Sequence, residues 1–63
     1  MNITIDMLAD TIAMTRNLLD SEEKRNAGEQ VLIWLVEAAF ENKEKGDKFY
    51  TEASNKADKY KGE

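Results

Sequence analysis

Val31-Leu32-Ile33-Trp34-Leu35-Val36-Glu37-Ala38-Ala39-Phe40 is apolar at every position but Glu37, and no other part of the chain approaches it. Read as a helix at 100° per residue, it has two apolar faces. Val31, Trp34, Leu35 and Ala38 share one side, with Ala27 before them, while Ile33, Val36 and Phe40 lie roughly opposite. Leu32 and Ala39 bridge one flank, and Gln30, Glu37 and Glu41 form the only polar strip. A surface helix needs an apolar stripe of about 100°, and here the arc covers roughly two-thirds of the circumference. Such a helix must be buried on two sides.

A strand is the competing reading, because VLIWLV is short and rich in β-branched and aromatic residues. Strong helix formers both precede the run, from Glu22 to Gln30, and follow it, from Glu37 to Lys45. No strand of matching strength exists to pair with it. Helix is the reading adopted. Glu37 interrupts the run long before the roughly 20 apolar residues a membrane span requires, so no membrane association is expected.

The totals make the burial problem acute. A chain of 63 residues is one domain at most, and chains of this size lean on disulfides, metals or oligomerisation. Cysteine and histidine are both absent, which removes disulfides, thiolate sites, most zinc sites and the usual general base. Oligomerisation is the remaining staple, so the sequence predicts a homodimer or an obligate complex. With 35% charged residues of both signs and a net charge of −4, sequence-independent nucleic-acid binding is disfavoured. Asp6, Asp10 and Asp20 stand where a signal peptide would carry its basic and apolar regions, and the lack of cysteine fits a cytoplasmic protein.

Around the central run the chain reads as follows. Residues Met1 to Ile5 alternate polar and apolar, either a short strand over residues 2–6 or an extended lead-in. Thr4 is a suitable N-cap for a helix over 5–19, with a buried seam of Ile5, Leu8, Ile12, Thr15 and Leu19. Met7, Met14 and Leu18 form a softer apolar edge; Asp6, Asp10 and Asn17 mark the wet face, and Arg16 and Asp20 are spaced to pair. Asp20-Ser21-Glu22-Glu23 reads as a capping box built on Asp20 and Glu23. The second helix then starts at 22, or at 29 if Gly28 breaks its first turns, and runs to 45, antiparallel to the first. Gly46 reads as a C-cap and Asp47 as the start of a third helix over 47–60, whose apolar residues are Phe49, Tyr50, Ala53, Ala57 and Tyr60. Because Phe49, Ala53 and Tyr60 continue the phase of Val31, Leu35 and Ala38, one long helix through Gly46 stands as the alternative. Residues 61–63 are expected to fray.

Each chemical reading meets a plainer one. Trp34 with Phe40 suits a binding hot spot, but both equally suit the protein's own core or a dimer seam. Glu37, Glu41 and Glu44 share a helical side, yet helical metal sites add a Glu-x-x-His motif and there is no histidine; a solvated face accounts for them. Asn2, Thr4 and Asp6 on a strand before two helices match the order of ribbon-helix-helix DNA-binding dimers, though Asp6 and Asp10 would face phosphate. Lys56, Lys59 and Lys61 near Tyr50 and Tyr60 resemble a nucleic-acid patch whose charge Glu52, Asp58 and Glu63 largely cancel. Catalysis would rest on carboxylates, lysine or tyrosine in a pocket this chain can scarcely enclose. No catalytic residue, metal or cofactor is expected.

The opening MNITIDMLADTIAMTRNLLD, the centre LIWLVEAAFEN and the length of 63 residues resemble the small early proteins encoded in the exo–xis region of lambda-like bacteriophages, among them a 63-residue open-reading-frame product. The resemblance spans the whole chain and carries no motif with assigned functional residues. It implies an early phage protein in the cytoplasm of the host bacterium, from a region associated with tilting infection toward lytic growth and disturbing host regulation.

The expectation is therefore an all-α protein: a helical hairpin plus a weaker third helix, assembling as a dimeric bundle. Leu32, Ile33, Trp34, Val36 and Phe40, with Phe49, Tyr50 and Tyr60, are the candidate oligomer or partner interface. The expected function is to bind a host or phage protein and modulate host regulation without chemistry. A small DNA-binding regulator of ribbon-helix-helix or helix-turn-helix type is the alternative, and a purely structural subunit a third class.

Overall fold

A computed structural model describes residues 3–60 as three α-helices: α1 (Ile5–Leu18), α2 (Glu22–Phe40) and α3 (Lys43–Tyr60), with no strand among the described residues. The frayed tail expected at 61–63, like Asn2, lies outside the described residues.

Side chains already present in the sequence set the helix starts. Thr4 Oγ1 accepts from the Met7 amide at 3.1 Å, so the chain turns helical at Ile5 and the strand expected over residues 2–6 does not form at Ile5 and Asp6. For α2 the cap is Ser21, whose Oγ accepts from the Lys24 amide at 3.2 Å. The capping box on Asp20 is thereby replaced, and Asp20 pairs with the Lys24 ammonium instead. Gly28 sits inside α2 without breaking it. A Cβ there would touch Thr15 and Leu19 at 3.1 Å, so the glycine lets the end of α1 lie close against α2.

The α2–α3 boundary differs from the sequence reading. The helices are separate, and the break falls at Glu41-Asn42, not at Gly46. Glu41 ends α2 in the left-handed region, φ 54° and ψ 28°, a place usually taken by glycine. Asn42 then opens α3: its side-chain oxygen accepts from the Lys45 amide at 3.0 Å, and its carbonyl from the Gly46 amide at 2.9 Å. Gly46 lies in the first turns of α3, pressed on α2. A Cβ at Gly46 would sit 2.7 Å from the Glu37 Cα. That close approach brings the Glu37 and Asp47 carboxyls together; their hydrogen bond, then desolvation and the Asp47 charge, raise the Glu37 pKa above its ordinary value, with Lys43 opposing.

The third helix is not the weaker appendage expected. It packs against both α1 and α2 far more extensively than they pack against each other. The core is Leu8, Ala9 and Ile12 of α1, Val36 of α2, and Tyr50, Ala53 and Ala57 of α3. Gly46, Ala53 and Ala57 fall on one side of α3 at intervals of seven and four, and small residues there let two neighbours approach one helix at once. Helix α2 runs antiparallel to α1 and to α3: Glu29 near its start meets Arg16 near the end of α1, and Glu37 near its end meets Gly46 at the start of α3.

Candidate contact surface

With α3 filling one side of the α1–α2 pair, the other side stays open. Met7, Met14 and Leu18 recur along α1 at intervals of seven and four, forming one strip. Val31, Trp34 and Leu35 form the second strip on α2, widened by the exposed Ala27 and Ala38. Exposure is high for groups of this kind: 60% for Met14, 77% for Leu18, 60% for Trp34 and 61% for Leu35. At the Met7–Leu35 end of the strips lies an apolar groove of about 280 Å³, lined by Ile3, Met7, Leu8, Thr11, Leu32, Leu35 and Val36. Six of the eight exposed large apolar side chains among the described residues lie on this face. Fully burying one such side chain is favourable by about 1.5–3 kcal/mol.

A polar clasp holds the two strips at fixed spacing. Arg16 of α1 donates from Nη2 to Glu29 Oε1 of α2 at 3.3 Å and to Ser54 Oγ of α3 at 3.2 Å, and from Nη1 to Asp58 Oδ1 of α3 at 2.5 Å. Burial works against the Arg16 charge, but the bonds and charges of Glu29 and Asp58 outweigh it and raise the pKa further. Tyr50 donates its hydroxyl to Glu29 Oε1 at 3.1 Å, and burial, followed by the Glu29 charge, pushes the phenol pKa well above its ordinary value. Arg25 donates from Nε to the carbonyls of Arg16 and Leu19, tying down the end of α1. The expected Arg16–Asp20 pair gives way to this three-helix cluster. No buried side-chain polar atom among the described residues lacks a partner.

The residues expected to form an interface divide. Trp34 is on the open face, and Leu32 lies partly buried in the groove lining. Val36 and Tyr50 belong to the chain's own core, with Ile33 and Phe49 packed against it. None of these four is offered to a partner while the fold is intact. The reason is α3, which packs on the Ile33–Val36 side of α2; Phe40 stays 38% exposed at the edge of that contact, its ring 4.9 Å from that of Phe49. Tyr60, half-exposed, sits at the edge beside Ala13 and Ala57. Met7, Met14, Leu18, Val31 and Leu35 were absent from the expected interface, although the seven-and-four spacing on α1 was there to be read.

Other chemical readings lose their geometry. Glu41 terminates α2 and Glu44 belongs to α3, so Glu37, Glu41 and Glu44 do not share a helical side. No group of three or more metal-ligating side chains is assembled among the described residues. Of the lysine patch, Lys56 is paired with Asp6, and Tyr50 is buried with its hydroxyl on Glu29. The three cations of α1 and α2 are all engaged: Arg16 by Glu29 and Asp58, Lys24 by Asp20, and Arg25 by carbonyls. Among the described residues, no helix is long and apolar enough to cross a membrane. No family model, curated protein or solved structure matches this chain.

Proposed function

We propose that this protein acts by association, through the open face of α1 and α2, and not by chemistry of its own. One observation carries the reading: two helices fixed by the Arg16 clasp leave a continuous apolar surface uncovered. In the setting that the sequence resemblance implies, the affected component is a host or phage protein in the bacterial cytoplasm, and the outcome is a shift toward lytic development. A dimer is the assembled form that the chain's size calls for.

The test uses Met14→Glu and Trp34→Glu, which change exposed side chains and spare the core. Phage carrying either variant should lose the protein's effect on lysogenisation frequency while the variant keeps its helix content by circular dichroism. Wild-type behaviour from both folded variants would refute the proposal. A DNA-binding regulator of ribbon-helix-helix type is the poorer reading, because the N-terminal segment caps a helix at Thr4 where a groove-reading strand would be needed. A salt-dependent shift of a DNA probe by the purified protein would reinstate it.

A further inference from the structure

We infer that the outer face of α3 is a separate docking surface, and that its occupant is an acidic amphipathic helix of another protein. Charge is unevenly divided along this chain. Residues 3–42 hold eight acids against three cations, and all three cations are engaged within the fold. Residues 43–60 hold five lysines against four acids. Two of those acids serve contacts with the other helices, Asp47 with Glu37 and Asp58 with Arg16. Lys56 is paired with Asp6, but Lys45, Lys48 and Lys59 are exposed and, among the described residues, have no ion pair.

The helix sorts these groups by side. Lys45, Lys48, Glu52, Lys56 and Lys59 recur at intervals of three and four along one outer stripe, about 21 Å long at 1.5 Å per residue. Glu44, Asp47 and Asp58 fall on a separate flank. Phe49 and Tyr60 border the lysine stripe on its inner side, and the Phe40 ring lies against that of Phe49. Phe40 and Tyr60 are the two exposed large apolar side chains that lie off the open face of α1 and α2, at 38% and 37%. Unpaired ammonium groups thus stand in a row with an aromatic ring toward each end. An acidic helix answers both parts: carboxylates a turn apart match lysines at the same spacing, and apolar residues along its edge cover the rings. Exposed ion pairs are weak singly, so the row supplies recognition more than affinity. Nucleic acid fits less well, because Glu52 interrupts the row and the acids of α1 and α2 repel a phosphate chain. The stripe lies on the far side of the α1–α2 pair from their open face, so it can be occupied whatever covers that face.

The probe is a fluorescein-labelled helical peptide of about 14 residues, with glutamates placed to face Lys45, Lys48 and Lys59, a lysine to face Glu52, and leucines along the apolar edge. Titrated with the full chain and followed by fluorescence anisotropy, it should bind and should weaken as salt is added. The amide NMR signals that move on binding should be those of residues 45–60. Lys48→Glu combined with Lys59→Glu should lower the affinity about tenfold or more at unchanged helix content, whereas Met14→Glu should bind as the wild type does. No binding, binding that the double variant keeps, or signal changes centred on α1 and α2 overturn the inference. So does a single-stranded oligonucleotide of similar length that binds more tightly than the peptide and loses affinity in the double variant, which makes the face a nucleic-acid site. Signals of residues 45–60 that move when the protein alone is concentrated place a second copy there and overturn it too. Should the double variant lose its helices, the position of the signal changes in the wild type decides.

Discussion

Helices α2 and α3 have exchanged the roles their compositions suggest. The former contains the most apolar run in the chain yet contributes only Val36 to the fully buried core. The latter is studded with lysine and acid, yet Gly46, Tyr50, Ala53 and Ala57 are all buried. Apolar content measures how much surface seeks cover; side-chain size at the contact decides which helix two others can approach. Small residues on one stripe put α3 in the middle, and the bulky chains of α2 extend around so much of its circumference that one side is left facing water.

If that contrast is right, Val36→Glu should do the greatest harm. It buries a carboxylate with no partner, costing more than about 4 kcal/mol and abolishing the cooperative melt followed by circular dichroism. Leu35→Glu, one position away, should leave the helix content in place. Next comes Gly46→Ala. Helix propensity favours the change by about 1 kcal/mol, but backbone contact with Glu37 outweighs it, for a net loss of about 1–2 kcal/mol in chemical denaturation. Tyr50→Phe, which removes one bond to Glu29 and leaves those from Arg16, should cost about 1 kcal/mol in the same assay. Gly28→Ala sharpens the comparison from the other side: its neighbours are side-chain tips that can turn aside, so a gain of about 0.5–1 kcal/mol is expected. The smallest effect is pH-dependent. Since folding raises the Glu37 pKa, its contribution is fully present below the unfolded value and is lost as pH rises through the folded one. Stability should therefore show a falling component with pH just above the ordinary carboxylate range, and Glu37→Gln should remove it. A slope unchanged in that variant would deny the Glu37–Asp47 contact any part in it.

Local signals in the sequence were legible where a side chain acts on its own backbone. Thr4 as a cap, the seam of Leu8 and Ile12, and the antiparallel hairpin of α1 and α2 all follow from short-range chemistry. The two apolar faces of α2 were also plain. Which face stays open was not, because that depends on where α3 lands, and Ala53 and Ala57 look featureless until two neighbours are brought against them. Gly46 misled for a related reason: glycine at a helix end and glycine at a close helix crossing look alike in one dimension, and here Glu41 takes the left-handed position. Arg16 was read with its nearest acid in sequence, whereas Glu29 and Asp58 reach it only through the fold.

The central place of α3 bears on how the protein is made. Residues 43–60 follow in the chain both helices that they hold together, so a product cut short before them exposes the apolar run of α2 with little to shelter it. Such a fragment lacks most of the helix–helix packing and is open to proteases and chaperones. The stability of the first two helices is thereby tied to the synthesis of the third.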